Sequence, residues 1–74
     1  MDMELDTKGM NCPMPVLKAK KAMNQLENGQ LLKIEATDPG ATEDLKAFCR
    51  AGGHELIESD QADGVFTFVL RKAG

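Results

Sequence analysis

The sequence predicts an α+β fold, a two-layer sandwich with two helices on one face of a four-stranded mixed sheet, in the order β-α-β-α-β-β. Three observations predict it. Four stretches alternate apolar and polar residues with a period of two, two longer stretches repeat apolar residues every three or four positions, and glycine, often with proline or asparagine, marks the joins. The chain has 74 residues, 42% hydrophobic and 28% charged, which is the balance of a folded protein with room for one apolar layer, so residues 1–74 are read as one domain. Two helices on one sheet is the economical way to bury all six apolar faces.

Met3 to Thr7 places Met3 and Leu5 on one side and Glu4 and Asp6 on the other, a short half-buried strand. Thr7-Lys8-Gly9-Met10-Asn11 follows as a strand-to-helix loop in which Gly9 permits a bend and Met10 packs as a hydrophobic staple. From Pro13 to Leu26 the stripe Val16, Ala19, Met23 and Leu26, with Ala22 beside it and Leu17 at its margin, predicts the first helix, ended by Asn28-Gly29. Leu31 to Thr37 turns Leu32, Ile34 and Ala36 inward as a second strand. Asp38-Pro39-Gly40 stops it, with Asp38 a candidate cap for a helix over Ala41–Ala51 whose stripe is Ala41, Leu45, Phe48 and Cys49. After Gly52-Gly53, strands over His54–Ser59 and Val65–Arg71 form a hairpin across Asp60-Gln61-Ala62-Asp63-Gly64, the second strand carrying Phe66, Phe68 and Leu70 on one face.

The chemistry is concentrated in Asn11-Cys12-Pro13-Met14-Pro15. Proline at the first position of a helix sacrifices no hydrogen bond and already holds the helical φ. Cys12 is therefore expected at the N-cap, facing the positive end of the helix and the free N–H groups of Met14 and Val16. Thiols in such positions can fall from an ordinary pKa of about 8.5 to between roughly 3.5 and 7.5, so a standing thiolate is expected. Pro13 and Pro15, with Gly9 before them, are read as positioning residues. The residues alone leave a second reading of Cys12 open, a small hydrophobe that caps a helix poorly.

Lys18, Lys20 and Lys21 form a local positive patch on a chain whose net charge is −3. They are either a solvated helix face or a surface that steers acidic partners to the thiol. The acidic balance and the absence of Trp and Tyr argue against nucleic-acid binding. Asp2, Glu4 and Asp6 interrupt any apolar leader and no run is long enough to span a membrane, so a cytoplasmic protein is expected; oligomeric state is left open, with a monomer favoured. Cys12 and Cys49 do not form a Cys-x-x-Cys pair, and Cys49 on an apolar stripe reads as a core thiol. Cys12, Cys49 and His54 match no common zinc spacing, so no metal is expected.

Taken together, these residues resemble the TusA/SirA family of sulfur carrier proteins. The resemblance covers nearly the whole chain. It rests on the Cys-Pro-x-Pro motif Cys12-Pro13-Met14-Pro15, the lead-in Leu5-Asp6-Thr7-Lys8-Gly9, Asp38-Pro39, Phe48-Cys49 and Gly53-His54-Glu55-Leu56. It implies a fold similar to the C-terminal domain of translation initiation factor three. It also implies that Cys12 accepts sulfane sulfur as a persulfide from a donor such as a cysteine desulfurase or a rhodanese. The sulfur then passes to an acceptor protein in a relay such as tRNA thiolation, sulfur oxidation or cofactor biosynthesis, with no cofactor and no independent turnover. The alternative is a redox-regulatory or protein-binding module that uses Cys12 as a mixed-disulfide site.

Overall fold

Alternation along Leu31–Ala36 sends Leu32, Ile34 and Ala36 to one face of an extended chain, and all three are fully buried in the computed structural model, which describes residues 2–73. The elements are β1 (Met3–Thr7), α1 (Met14–Asn24), β2 (Leu31–Ala36), α2 (Ala41–Gly52), β3 (Glu55–Ala62) and β4 (Val65–Arg71). The sheet order is β1-β2-β4-β3, with β1 parallel to β2 and β4 antiparallel to both of its neighbours. The expected four-stranded mixed sheet with two helices is therefore found.

Register explains why one face is apolar throughout. Leu5 pairs with Ile34 and Ile34 with Phe68, so Met3, Leu5, Leu32, Ile34, Phe66, Phe68 and Leu70 lie across the same side. Onto that side α1 presents Pro15, Ala19, Ala22 and Met23, and α2 presents Ala41, Leu45 and Cys49. Burial of a side chain such as Leu45 or Phe68, both fully enclosed, contributes about 1.5–3 kcal/mol. Thr7 is the buried polar member among the described residues, and its Oγ1 donates to the Glu35 carbonyl at 2.6 Å.

α1 and β3 depart most from the sequence reading, while β2 ends one residue earlier than expected and α2 one residue later. α1 begins at Met14 and ends at Asn24, and Leu26 is buried beyond the helix; Pro15 takes the place in the apolar stripe expected of Val16, which is half-buried. β3 runs to Ala62, so the connection to β4 is not five residues but the two-residue turn Asp63-Gly64. Both turn residues have positive φ, 53° and 78°. That is the pattern Asp-Gly favours, because its twist matches that of the flanking strands. Finally, β3 carries an irregularity between Leu56 and Glu58 and is exposed along most of its length, an edge strand guarded by Glu55, Glu58 and Asp60.

The parallel pairing of β1 and β2 matters most for the site. It brings Thr7 opposite Ala36. The loops that leave those residues, 8–13 and 37–40, therefore emerge at the same end of the sheet and lead into the N-termini of the two helices.

Candidate functional site

Two hydrogen bonds tie these loops together. The Gly9 N–H donates to Thr37 Oγ1 at 2.9 Å, and the Cys12 N–H donates to Asp38 Oδ2 at 3.0 Å. Gly9 holds φ at +82°, a conformation that side chains rarely adopt, which is the physical reason for a glycine there. The start of the same loop is braced by the Lys8 N–H, which donates to Asp6 Oδ1 at 2.9 Å, and by the Lys8 ammonium, 3.1 Å from Asp6 and 3.7 Å from Glu35. Hydrogen bonding from Lys8 holds the Asp6 carboxyl below its ordinary range.

The Asp38 side chain thus serves the cysteine loop, while its carbonyl accepts the Ala41 N–H at the start of α2 at 3.0 Å. The N-cap of α2 is Gly40, without a side-chain cap, and the Asp38 carboxylate is engaged by the Cys12 amide. The N-cap of α1 is likewise Pro13, one residue later than expected, so Cys12 precedes the helix. The Met14 N–H bonds the Asn11 carbonyl at 2.8 Å, and Pro13 and Pro15 have no N–H to offer. The positive end of α1 is consequently poor in donors that a thiolate could use.

The charge around Cys12 has the opposite sign to the one anticipated. Its Sγ and carboxylate oxygens of Asp38 and Asp44 all lie within 4.8 Å of one another. The polar pull of the Asp44 carboxylate on the thiol proton, loss of water contact, and repulsion by Asp44 and then Asp38 push the thiol above its ordinary value. These surroundings favour the thiol, against the standing thiolate expected from the sequence. The dipole of α1 is one influence among several, and the fold sets the sulfur beside Asp44 in the acidic first turn of α2. One exposed soft thiol with two half-buried hard carboxylates gives three ligands, which matches no common structural zinc set.

Cys12 is exposed, and an open groove of about 480 Å³ runs from it between the two helices. Val16, Leu17, Ala47 and Phe48 supply apolar walls, with Lys20 and Asp44 as the charged groups. Leu17 is 51% exposed and Met14 40%, so this end of the molecule shows more apolar surface to solvent than its helix pattern suggests.

The three lysines do not line one hollow. Lys20 lines the groove at Cys12, while Lys18 and Lys21 border a smaller hollow of about 220 Å³ beside Met3 and Leu5. Cys49 is 4% exposed in the core, and burial pushes its thiol up to about 11. His54 Nδ1 accepts the Ala73 N–H at 3.2 Å, and the ring lies against Phe48. Asp44 is the site residue that sequence reasoning missed. Its signal was weak, since an acid in the first turn of a helix is explained by the helix dipole alone.

The pattern that defines the family described as Sulfurtransferase TusA matches residues 3–72. The chain is 47% identical over 72 residues to the sulfur carrier protein TusA of Allochromatium vinosum, covering 97% of this chain and 95% of that protein. It is 48% identical over 71 residues to a putative sulfur carrier protein of Bacillus subtilis, covering 96% and 95%. Among solved structures it superposes on a SirA-like protein from Desulfitobacterium hafniense with a TM-score of 0.86 at 26% identity, covering 97% of this chain and 99% of that one.

Proposed function

The chain belongs to the TusA family, and from that premise we propose that it is a sulfur carrier whose Cys12 Sγ takes up one sulfane sulfur as a persulfide from a donor protein and yields it to an acceptor protein. The observation that carries this reading is the exposed thiol at the head of an open, apolar-walled groove, on a loop braced by Asp38 and Thr37. A relay needs that placement, because the same sulfur atom must meet two partners in turn. Cys49 meets neither condition, being enclosed and protonated.

Uptake requires Cys12 to lose its proton. The thiolate attacks the outer sulfur of the donor persulfide, a new S–S bond forms at Cys12, and the donor's own S–S bond breaks. The donor sulfur leaves as a thiolate and takes up a proton, so a thiol and a persulfide become a persulfide and a thiol with no net redox change. Delivery repeats the exchange in the other direction. Gly9, Pro13 and Pro15 hold the loop that presents the sulfur, and Lys20 is the lysine placed to contact whatever docks in the groove. No helix among the described residues is long and apolar enough to cross a membrane. We place the relay in the cytoplasm, where thiols stay reduced.

The test is intact mass after incubation with cysteine and a cysteine desulfurase. The expected result is a gain of one sulfur atom, reversed by a thiol reductant and absent from Cys12→Ser. A chain that forms mixed disulfides but never takes up a sulfur atom would instead be a redox module, and the carrier reading would fail.

A further inference from the structure

We propose that Asp44 is a positioning residue for Cys12: its carboxylate keeps the proton on the thiol of the free protein, and the sulfur becomes a nucleophile when the Asp44 charge is cancelled. The inference deepens the carrier reading, on which it rests for the identity of the reacting atom.

Geometry carries the inference. Cys12 and Asp44 come from different halves of the chain and meet because β1 and β2 run parallel and release their loops side by side. The Cys12 amide is held by Asp38 at 3.0 Å, which fixes the loop so that Sγ stays within 4.8 Å of both carboxylates. The charged groups that face the sulfur are Asp38 from the 37–40 loop, Asp44 from α2 and Lys20 across the groove on α1. Two anions stand against one cation, and both anions lie within 4.8 Å of the sulfur. A thiolate formed there adds a third negative charge to the cluster, whereas a thiol can donate its proton to Asp44. Charge of the same sign nearby always favours the protonated form of an acid.

The consequence for a carrier is selectivity. A protonated thiol reacts slowly with oxidants and electrophiles met in transit, because the thiolate is the reactive form. Within the groove, a docked surface that places a positive group against Asp44 removes the brake at the moment of transfer. The attack then proceeds as in the balanced exchange above, and the proton lost by Cys12 is matched by the one gained on the departing donor thiolate.

The experiment measures the rate of Cys12 alkylation by iodoacetamide in the full chain, from about pH 6 to about pH 11, read by intact mass. The wild type is expected to inflect above the ordinary thiol value. Asp44→Asn, which keeps the shape and removes the charge, should inflect lower and react about threefold to tenfold faster at neutral pH, since the thiolate fraction there rises about tenfold for each whole-number drop in the inflection pH. Asp44→Glu restores the charge and should return the profile toward wild type, and Lys20→Gln should move it less than Asp44→Asn. A purely structural role for Asp44 leaves the inflection where it was, and an unmoved profile in a folded Asp44→Asn overturns the proposal. Should that variant fail to fold, the wild type decides alone: raised salt screens the carboxylates and should lower the inflection, and a salt-independent profile counts against the inference. No sulfur donor is present, so failure of this proposal and failure of the carrier reading are separate results.

Discussion

Raising the pH from 9 to 11 should destabilise this protein through Cys49, a residue with no part in the proposed transfer. The thiol is 4% exposed against the core of α2, and burial lifts it from 9.0 to about 11. Between those values the unfolded chain has given up the proton and the folded chain retains it. The unfolded state therefore binds fewer protons, and unfolding free energy falls as pH rises. The stability that the protonated thiol contributes is complete below pH 9 and lost by the time the folded-state value is passed. At about 1.4 kcal/mol per pH unit, the interval corresponds to a loss of about 3 kcal/mol, a large share of the stability of a domain this small.

Urea unfolding of wild type and Cys49→Ala at pH 8 and at pH 11 isolates the effect, because every other titrating group is common to both. At pH 8 the variant should be less stable by about 1–2 kcal/mol, through the cavity left by the sulfur. At pH 11 that gap should close or reverse, as only the wild type has a thiol that ionises more readily in the unfolded chain than in the folded one. If the two proteins lose the same stability over this range, Cys49 is not buried as described. The packing of α2 on the sheet would then be wrong.

Pro15 is fully buried on the first turn of α1, so Pro15→Ala should cost about 1–2 kcal/mol by urea unfolding, from lost apolar contact and a freer unfolded chain. It should also slow sulfur uptake while leaving Cys12 loadable, and transfer at the wild-type rate would remove its positioning role. The split among the lysines predicts that Lys20→Glu lowers the association rate with an acidic donor surface by about threefold to tenfold at low salt, whereas Lys18→Glu/Lys21→Glu has little effect. Stopped-flow association against ionic strength distinguishes them, and equal effects from both variants would return the three lysines to one patch.

Most of the scaffold is legible because it is built from local periodicities. Leu32, Ile34 and Ala36 face inward for no reason beyond alternation, and Ala19, Ala22 and Met23 for no reason beyond helical spacing. Where sequence and structure part, local rules compete. The polar Asp60 and Gln61 extend the expected loop around Asp63-Gly64, although an edge strand exposed on most of its length is expected to be polar too. Pro15 reads in sequence as a positioning residue for Cys12, and its burial follows only from how α1 lies on the sheet.

The site divides along the same line. Sequence alone determined which atom to single out as the candidate: a cysteine ahead of two alternating prolines, at the start of a helix, stands out by neighbours fixed through covalent geometry and the first helical turn. Only the tertiary structure decided what charge that atom carries. Parallel pairing of β1 and β2 sets the loop after Ala36 against the loop after Thr7, and with it come Asp38, bonded to the Cys12 amide, and Asp44, whose carboxylate lies within 4.8 Å of its sulfur. Electrostatic surroundings depend on distance through space, and residues 26 and 32 positions away along the chain have no local signature by which to announce that they are near.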